Sequence, residues 1–361
     1  VLALVGDENG CSLWRTYLPF AELCRQGHIA EWAPLDRSPE VFPLVAAGLF
    51  DAVILPRLAW HAEHQVEARR WVRSLHNAGL TVIYEVDDDV FSPQIGARQQ
   101  ATTEPDKSLE QLEQDRRDRI SAMRLCDAVT VSNDTLARVV RQYVANEVPV
   151  LTVPNRIDHR WWRRVLHGVR RVVPSLTIGW AGGARYQEDF FPLVEAWHNI
   201  AARYPEVTFV VQGFMPDQLI GAVPAERVRR LPWLPLEEYP RALLNVDIGC
   251  ASVANNHFNR CKTPIKLWEY TMGGAVSVVS PTLYGEVAHD GEDCLVADTA
   301  AEWEAALSRL IDDQQLRRRL WRAQRRVVAE RYSLEKHAHL WLEAWSQIIQ
   351  HARRPRLLLA S

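Results

Sequence analysis

Short apolar runs recur along the chain, each followed by a polar or amphipathic stretch. In the first half they are VLALVG (Val1–Gly6), DAVIL (Asp51–Leu55), LTVIYEV (Leu80–Val86), DAVTV (Asp127–Val131) and the stretch Val148–Val153. Runs this short, rich in β-branched residues and with little polar alternation, predict strands buried on both faces. The stretches Leu13–Gln26, Trp60–Asn77, Ser108–Arg124 and Asn133–Val144 predict the intervening helices. Strand and helix in alternation imply a parallel sheet covered by helices. Between Phe91 and Glu104 the chain is polar and without periodicity, which predicts a mobile loop.

After the basic segment Arg156–Arg171 the same rhythm restarts. Strands are predicted at Leu176–Ala181, Val207–Gln212, Val228–Leu231, Val246–Ser252, Ala275–Val279 and Cys294–Ala297, with helices near Glu188–Arg203 and Glu237–Leu244. Three helices end the chain, at Ala300–Asp312, Gln314–Glu330 and Leu334–His351. Two successive halves of this kind predict an α/β protein of two Rossmann-like domains, the first over residues 1–160 and the second over 170–333. The last helix carries an apolar stripe (Leu340, Trp341, Ala344, Trp345, Ile348), so residues 334–352 are expected to cross back onto the first domain.

A length of 361 residues suits two domains, each with its own core. An apolar content of 47% with 24% charged residues is that of an ordinary globular protein, and no run reaches the length of a membrane span. No signal-peptide pattern is visible, and the six cysteines lack the spacing of a disulfide framework or zinc site, so a cytoplasmic location is expected. Net charge is only −3, yet Arg317, Arg318, Arg319, Arg322, Arg325, Arg326 and Arg331 crowd one helix. That helix presents either a solvated face or a peripheral contact with an anionic membrane or polyanionic acceptor.

The stretch with most chemistry is CKTPIKLWEYTMGG, Cys261–Gly274. Thr263 and Pro264 suit a helix cap and first position, and Lys262, Lys266 and Arg260 place cations where free N–H groups favour an anion. Glu269, one turn beyond Lys266, can accept from ribose hydroxyls or simply pair with the lysine. The loop GDENGCS after the first strand lacks the GxGxxG spacing, though Arg15 beyond it can reach a ligand at a strand's carboxyl end. Asp87, Asp88 and Asp89 follow the strand Leu80–Val86; at that carboxyl end one can serve as a general base while the others cap the next segment. His61 and His64 have no third ligand at matching spacing, so no metal is expected there. His257 and Trp180 are possible ligand contacts, the latter as a stacking platform or a core residue.

Three landmarks stand in order: VPNRID at Val153–Asp158, IGWAGG at Ile178–Gly183, and Lys262…KLWEY at Lys266–Tyr270 followed by GGAVSVV at Gly273–Val279. Together they resemble the GT-B-fold glycosyltransferases, in particular the retaining family 4, also called group 1. The resemblance implies two Rossmann-like domains facing across a cleft, the second binding a nucleoside-diphosphate sugar and the first a glycan, lipid-linked or other hydroxyl acceptor. It implies diphosphate contacts at Gly182, Gly183, Thr263, Ile265 and Lys266, charge neutralisation by Arg260, Lys262 or Lys266, and a ribose contact at Glu269. It also implies chemistry without a metal or other cofactor, with Lys266 helping the diphosphate to leave. Cys261 departs from the pattern, since it stands where the first of two glutamates would contact the donor sugar. Besides transfer, this leaves sugar-nucleotide epimerisation and a non-catalytic or weakly hydrolytic binding protein as readings.

Overall fold

Twelve strands, all parallel, form two six-stranded sheets among the residues the computed structural model describes, which are 1–6, 10–60, 64–102, 104–183, 187–214 and 216–353. The chain divides into two units. The first takes Val1–Gln100, Glu104–Asn155 and the end of the chain from Glu335; the second takes Arg156–Leu334 with Ala101–Thr103. The division falls at Asn155 rather than near 160 because Ile157 bridges to Ser333 and the Arg156 guanidinium lies 5.9 Å from the centre of the Tyr332 ring.

In the first unit β1 (Leu2–Val5), β2 (Glu31–Pro34), β3 (Ala52–Pro56), β4 (Thr81–Val86), β5 (Ala128–Val131) and β6 (Val150–Thr152) run in the order β2-β1-β3-β4-β5-β6. Ala3, Val53, Leu55, Val82 and Ile83 are fully buried, as expected of strands covered on both faces. The edge strand β2 escapes the apolar pattern because Glu31 and Trp32 face solvent. The order reverses between β1 and β3, which makes the carboxyl ends of those strands the switch point where ligands bind in open α/β sheets. The expected mobile loop at Phe91–Glu104 is instead largely helical, over Ile95–Thr102. Asp89 turns the chain into it, its Oδ1 accepting from the Phe91 and Ser92 amides at 3.0 and 2.9 Å.

The last helix, His339–Ala352, follows a short turn Leu334–His337 and belongs to the first unit. Its Trp341, Ala344, Trp345 and Ile348 are buried, with Trp345 edge-on to Phe20 at 5.6 Å.

The second unit orders its strands β12-β11-β10-β7-β8-β9, with β7 Thr177–Gly182, β8 Thr208–Gly213, β9 Val228–Leu231, β10 Ile248–Ala251, β11 Val276–Val279 and β12 Leu295–Val296. Its switch point lies between β7 and β10. The helix Ile265–Gly273 packs directly on β10 because Gly249 has no side chain: a Cβ there would meet the Tyr270 ring at 2.4 Å. The Tyr270 hydroxyl ties that helix to the carboxyl ends of both central strands, donating to Cys250 O at 3.1 Å and accepting from the Ala181 amide at 3.0 Å. From the other side, buried Gln324 donates to Leu267 O at 3.2 Å and to Ser277 Oγ at 3.1 Å. The packing therefore fixes where the first turn of this helix presents its side chains.

Candidate donor site and a carboxylate cluster

After β10 the chain makes a short helix, His257–Arg260, capped by Asn256 Oδ1 on the Asn259 amide at 2.9 Å. Buried Asn259 donates to Asp189 Oδ1 at 2.7 Å, and the same oxygen accepts from the Ala254 amide at 2.7 Å. This fixes the loop from which the next helix starts. That helix begins at Ile265, with Pro264 rather than Thr263 in the capping position, and no side chain caps it. The Ile265 amide donates back to Thr263 O at 2.8 Å, so it is the next first-turn N–H groups and the positive dipole end that are available to an anion.

In the first turn, Lys266 Nζ lies 2.7 Å from Glu269 Oε2 and 2.7 Å from the Tyr239 hydroxyl, which itself donates to Glu269 Oε2 at 2.6 Å. Side-chain exposure is 13% for Lys266 and 6% for Glu269, so this is a shielded pair and not the solvated surface pair of an ordinary helix. Both donors converge on Oε2, and Oε1 accepts no hydrogen bond among the described residues. Burial, and then the neighbouring Glu269 charge, push the Tyr239 phenol well above its usual value, so it stays a donor.

Around this pair the expected residues are unevenly placed. Arg260 is exposed and donates to Asn255 Oδ1, while the Lys262 ammonium lies 4.5 Å from the centre of the Phe258 ring. Thr263 and Ile265 are partly buried at the helix start. His257 is exposed, its Nε2 3.8 Å from the Sγ of fully buried Cys261. Gly182 closes β7 and Gly183 follows it, and Gly182 O accepts from the Phe214 amide at 2.9 Å. The two strand ends come so close that a Cβ on Gly213, which has φ +91°, would sit 2.4 Å from that carbonyl oxygen. Trp233, in the loop after β9, lies against this glycine corner with 65% of its surface exposed. Trp180 is not a stacking platform. It is 3% exposed and packs edge-on to Phe190 at 5.1 Å within the core, because its position on β7 turns it to the sheet face covered by that core.

In the first unit the carboxylates gather at the other switch point. Arg57, directly after β3, is the only described non-glycine residue with positive φ (47°). Its Nε donates to Asp87 Oδ1 at 2.9 Å and its Nη2 to Asp88 Oδ2 at 2.9 Å. The ligating atoms of Cys11, Asp87 and Asp88 lie within 4.8 Å of one another, but Arg57 already supplies the cation for both carboxylates. Burial, then Asp87, hold the Cys11 thiol well above its usual value and hence protonated. Asp89 is buried and spent on the turn at Ser92.

Arg15 does not serve as a ligand contact in this arrangement. It is 4% exposed, donates to Glu85 Oε1 at 2.8 Å, Val153 O at 2.6 Å and Asn155 Oδ1 at 2.7 Å, and lies 5.3 Å from the Trp341 ring centre. It is a structural tie between β4, the end of β6 and the last helix. Its Nη2 is buried without a protein partner, and it lines a cavity of about 20 Å³ with Arg57, Glu85 and Asp87, room for one water. His61 lies outside the described residues.

On the helix Gln314–Arg331, Arg318, Arg319, Arg322, Arg325, Arg326 and Arg331 are exposed, and among the described residues no ion pair joins them to a carboxylate. Arg317 instead turns inward, donating to Ile311 O at 2.9 Å. No described helix is long and apolar enough to cross a membrane.

Sequence reasoning missed Arg57, Tyr239 and Trp233. Arg57 and Trp233 follow strand ends, which is a legible signal; Tyr239 meets Glu269 only through tertiary packing.

Residues 192–343 match the family described as glycosyl transferase-like. TuaH of Bacillus subtilis (strain 168), named for teichuronic acid biosynthesis as a glycosyltransferase, is 29% identical over 163 residues, and the match spans 41% of this chain and 38% of that protein. Among solved structures, HepE of Anabaena in complex with UDP superposes with a TM-score of 0.61 at 14% identity, covering 96% of this chain and 98% of that one. The sucrose-phosphate synthase of Thermosynechococcus elongatus gives 0.53 at 12% identity, over 89% and 81%. By fold this is a GT-B protein, and it is residues 192–343, largely in its second unit, that are similar to the glycosyl transferase-like family.

Proposed function

We propose that the protein is a glycosyltransferase that moves a sugar from a nucleoside-diphosphate donor, in the first instance a UDP-sugar, to a hydroxyl of a glycan acceptor. The observation that carries this reading is the uncapped start of Ile265–Gly273 beside a Glu269 carboxylate whose Oε1 is left open. Uncapped N–H groups and Lys266 suit a diphosphate, and a free carboxylate oxygen suits the ribose diol. HepE, the similar structure, binds UDP and UDP-glucose, which supports the choice of base.

As the glycosidic bond breaks, negative charge grows on the departing β-phosphate. Fixed N–H dipoles and the Lys266 ammonium stabilise that charge, so the reaction proceeds without a metal. In the first unit Asp87 or Asp88, oriented by Arg57, accepts the proton of the attacking hydroxyl. Retention follows the family resembled. Cys261, buried where a sugar-contacting glutamate would stand, narrows the donors to sugars that need no carboxylate there. The exposed arginine face of Gln314–Arg331 holds an anionic membrane surface.

Incubation with UDP-, GDP- and ADP-sugars and a panel of glycans tests the reading. Nucleoside diphosphate released together with a glycosylated product is expected. Tight nucleotide binding with neither release nor product would instead establish a binding protein that lost its chemistry at Cys261.

A further inference from the structure

We infer that Tyr239 is a positioning residue for the donor's ribose, fixing the Glu269 carboxylate so that Oε1 alone faces the ligand; the inference rests on the donor site proposed above. A carboxylate at the end of a two-carbon side chain rotates about its last bond, and either oxygen can then meet a ligand or a neighbouring lysine. Here rotation is blocked by two donors on one oxygen. Tyr239 Oη donates to Oε2 at 2.6 Å and Lys266 Nζ donates to the same atom at 2.7 Å. Lys266 also donates to the Tyr239 oxygen at 2.7 Å, which closes a three-membered ring of hydrogen bonds. Each member restrains the other two.

The ring has a second effect. Among the described residues Lys266 pairs with one carboxylate and that carboxylate is shared, so part of its charge and its remaining protons stay available toward the helix start. Without the phenol, the lysine and the glutamate would be free to form a two-point pair using both Glu269 oxygens, and the ribose would compete with the lysine for Oε1. Tyr239 thus separates two jobs that adjacent opposite charges would otherwise cancel: phosphate neutralisation by Lys266 and diol recognition by Glu269. It opens the helix Tyr239–Leu243, which follows the loop after β9 that brings Trp233 against Gly183 and Gly213.

The consequence is a specific dependence of ribose recognition on a residue that never touches ribose. Calorimetric titration measures the affinity of whichever of UDP, GDP or ADP binds tightest, and of its 2′,3′-dideoxy analogue. The wild type is expected to prefer the ribonucleotide by tenfold or more. Tyr239→Phe, which keeps the ring and its packing, is expected to lower that preference at least threefold, the dideoxy analogue losing less affinity than the ribonucleotide. Glu269→Gln is expected to remove the preference, and Tyr239→Phe added to Glu269→Gln to change it no further. Undiminished preference in Tyr239→Phe, with Glu269→Gln having lost it, overturns the role of Tyr239 and leaves the donor site standing. Equal losses for both nucleotides in Tyr239→Phe also overturn it, since they mark a general disturbance of the site. A wild type that binds none of the three, or shows no preference, overturns the donor site and this inference together.

Discussion

Replacing Arg15 by Met should unfold the first unit's architecture more readily than any single surface change, and the size of the effect can be worked out from its partners. The guanidinium is nearly inaccessible, as is Glu85, and three acceptors depend on it: Glu85 Oε1, Val153 O and Asn155 Oδ1. Methionine keeps the length of the stem but removes every donor and the guanidinium that lies over the Trp341 ring. Breaking one partner from a buried pair costs about 3–5 kcal/mol, because the other is left charged and desolvated. For a domain of this size each kcal/mol lowers the melting temperature by roughly 2–4 °C, so a drop on the order of 6–20 °C is expected. Arg15→Met combined with Glu85→Gln should recover much of the loss, since it removes the stranded charge. Burial already raises the Glu85 carboxyl against the opposing pull of Arg15 and Thr130. Losing Arg15 raises it further above its unfolded value, so the variant should be closest to wild type at acid pH, below the unfolded carboxylate range, and fall behind as pH rises through the folded value. Calorimetry resolving the two units, with hydrogen exchange on β4 and β6, measures this. A single variant within 1 kcal/mol of wild type, or a deficit that does not depend on pH, would refute the reasoning.

Other outcomes follow from the same geometry. Trp233→Ala should weaken UDP binding by about 1–3 kcal/mol if the exposed indole stacks on the base, as calorimetry can read; unchanged affinity would place the base elsewhere. Asp87→Asn and Asp88→Asn, assayed separately for product formation with donor affinity as control, should single out one carboxylate whose loss lowers turnover about 10²–10⁴-fold. Treatment with EDTA should leave turnover unchanged; loss restored by manganese would turn attention to Cys11, Asp87 and Asp88 as a metal site. Arg319→Glu, Arg322→Glu and Arg326→Glu together should abolish sedimentation with vesicles containing phosphatidylserine, and binding to an anionic glycan without any vesicle binding would redirect the partner.

Much of the frame was legible from pattern alone because both sheets are parallel and buried, so their strands appear as unbroken apolar runs. The edge strand β2 broke that rule through Glu31 and Trp32 and was missed for that reason. The stretch after Phe91 looked structureless because the Asp89 turn and helix Ile95–Thr102 leave little amphipathic signature. For the site, the sequence showed that Lys266 and Glu269 are one helical turn apart, and it could not show that they pair in a shielded place with Tyr239 between them, 27 residues from the lysine. Nor could it show which way Trp180 faces on its strand, or that Arg15 donates to Glu85, to the Val153 carbonyl and to the Asn155 side chain. Spacing along one helix is local information. Which side of a strand meets the core, and which distant hydroxyl meets a carboxylate, is set by tertiary packing.

The most direct test of the donor site is a crystal structure of the protein with UDP. The diphosphate is expected at the N-terminus of Ile265–Gly273 within reach of Lys266, with a ribose hydroxyl hydrogen-bonded to Glu269 Oε1 while Oε2 keeps Tyr239 and Lys266. Nucleotide bound away from that helix start, or bound there with the ribose making no contact with Glu269, would contradict the account.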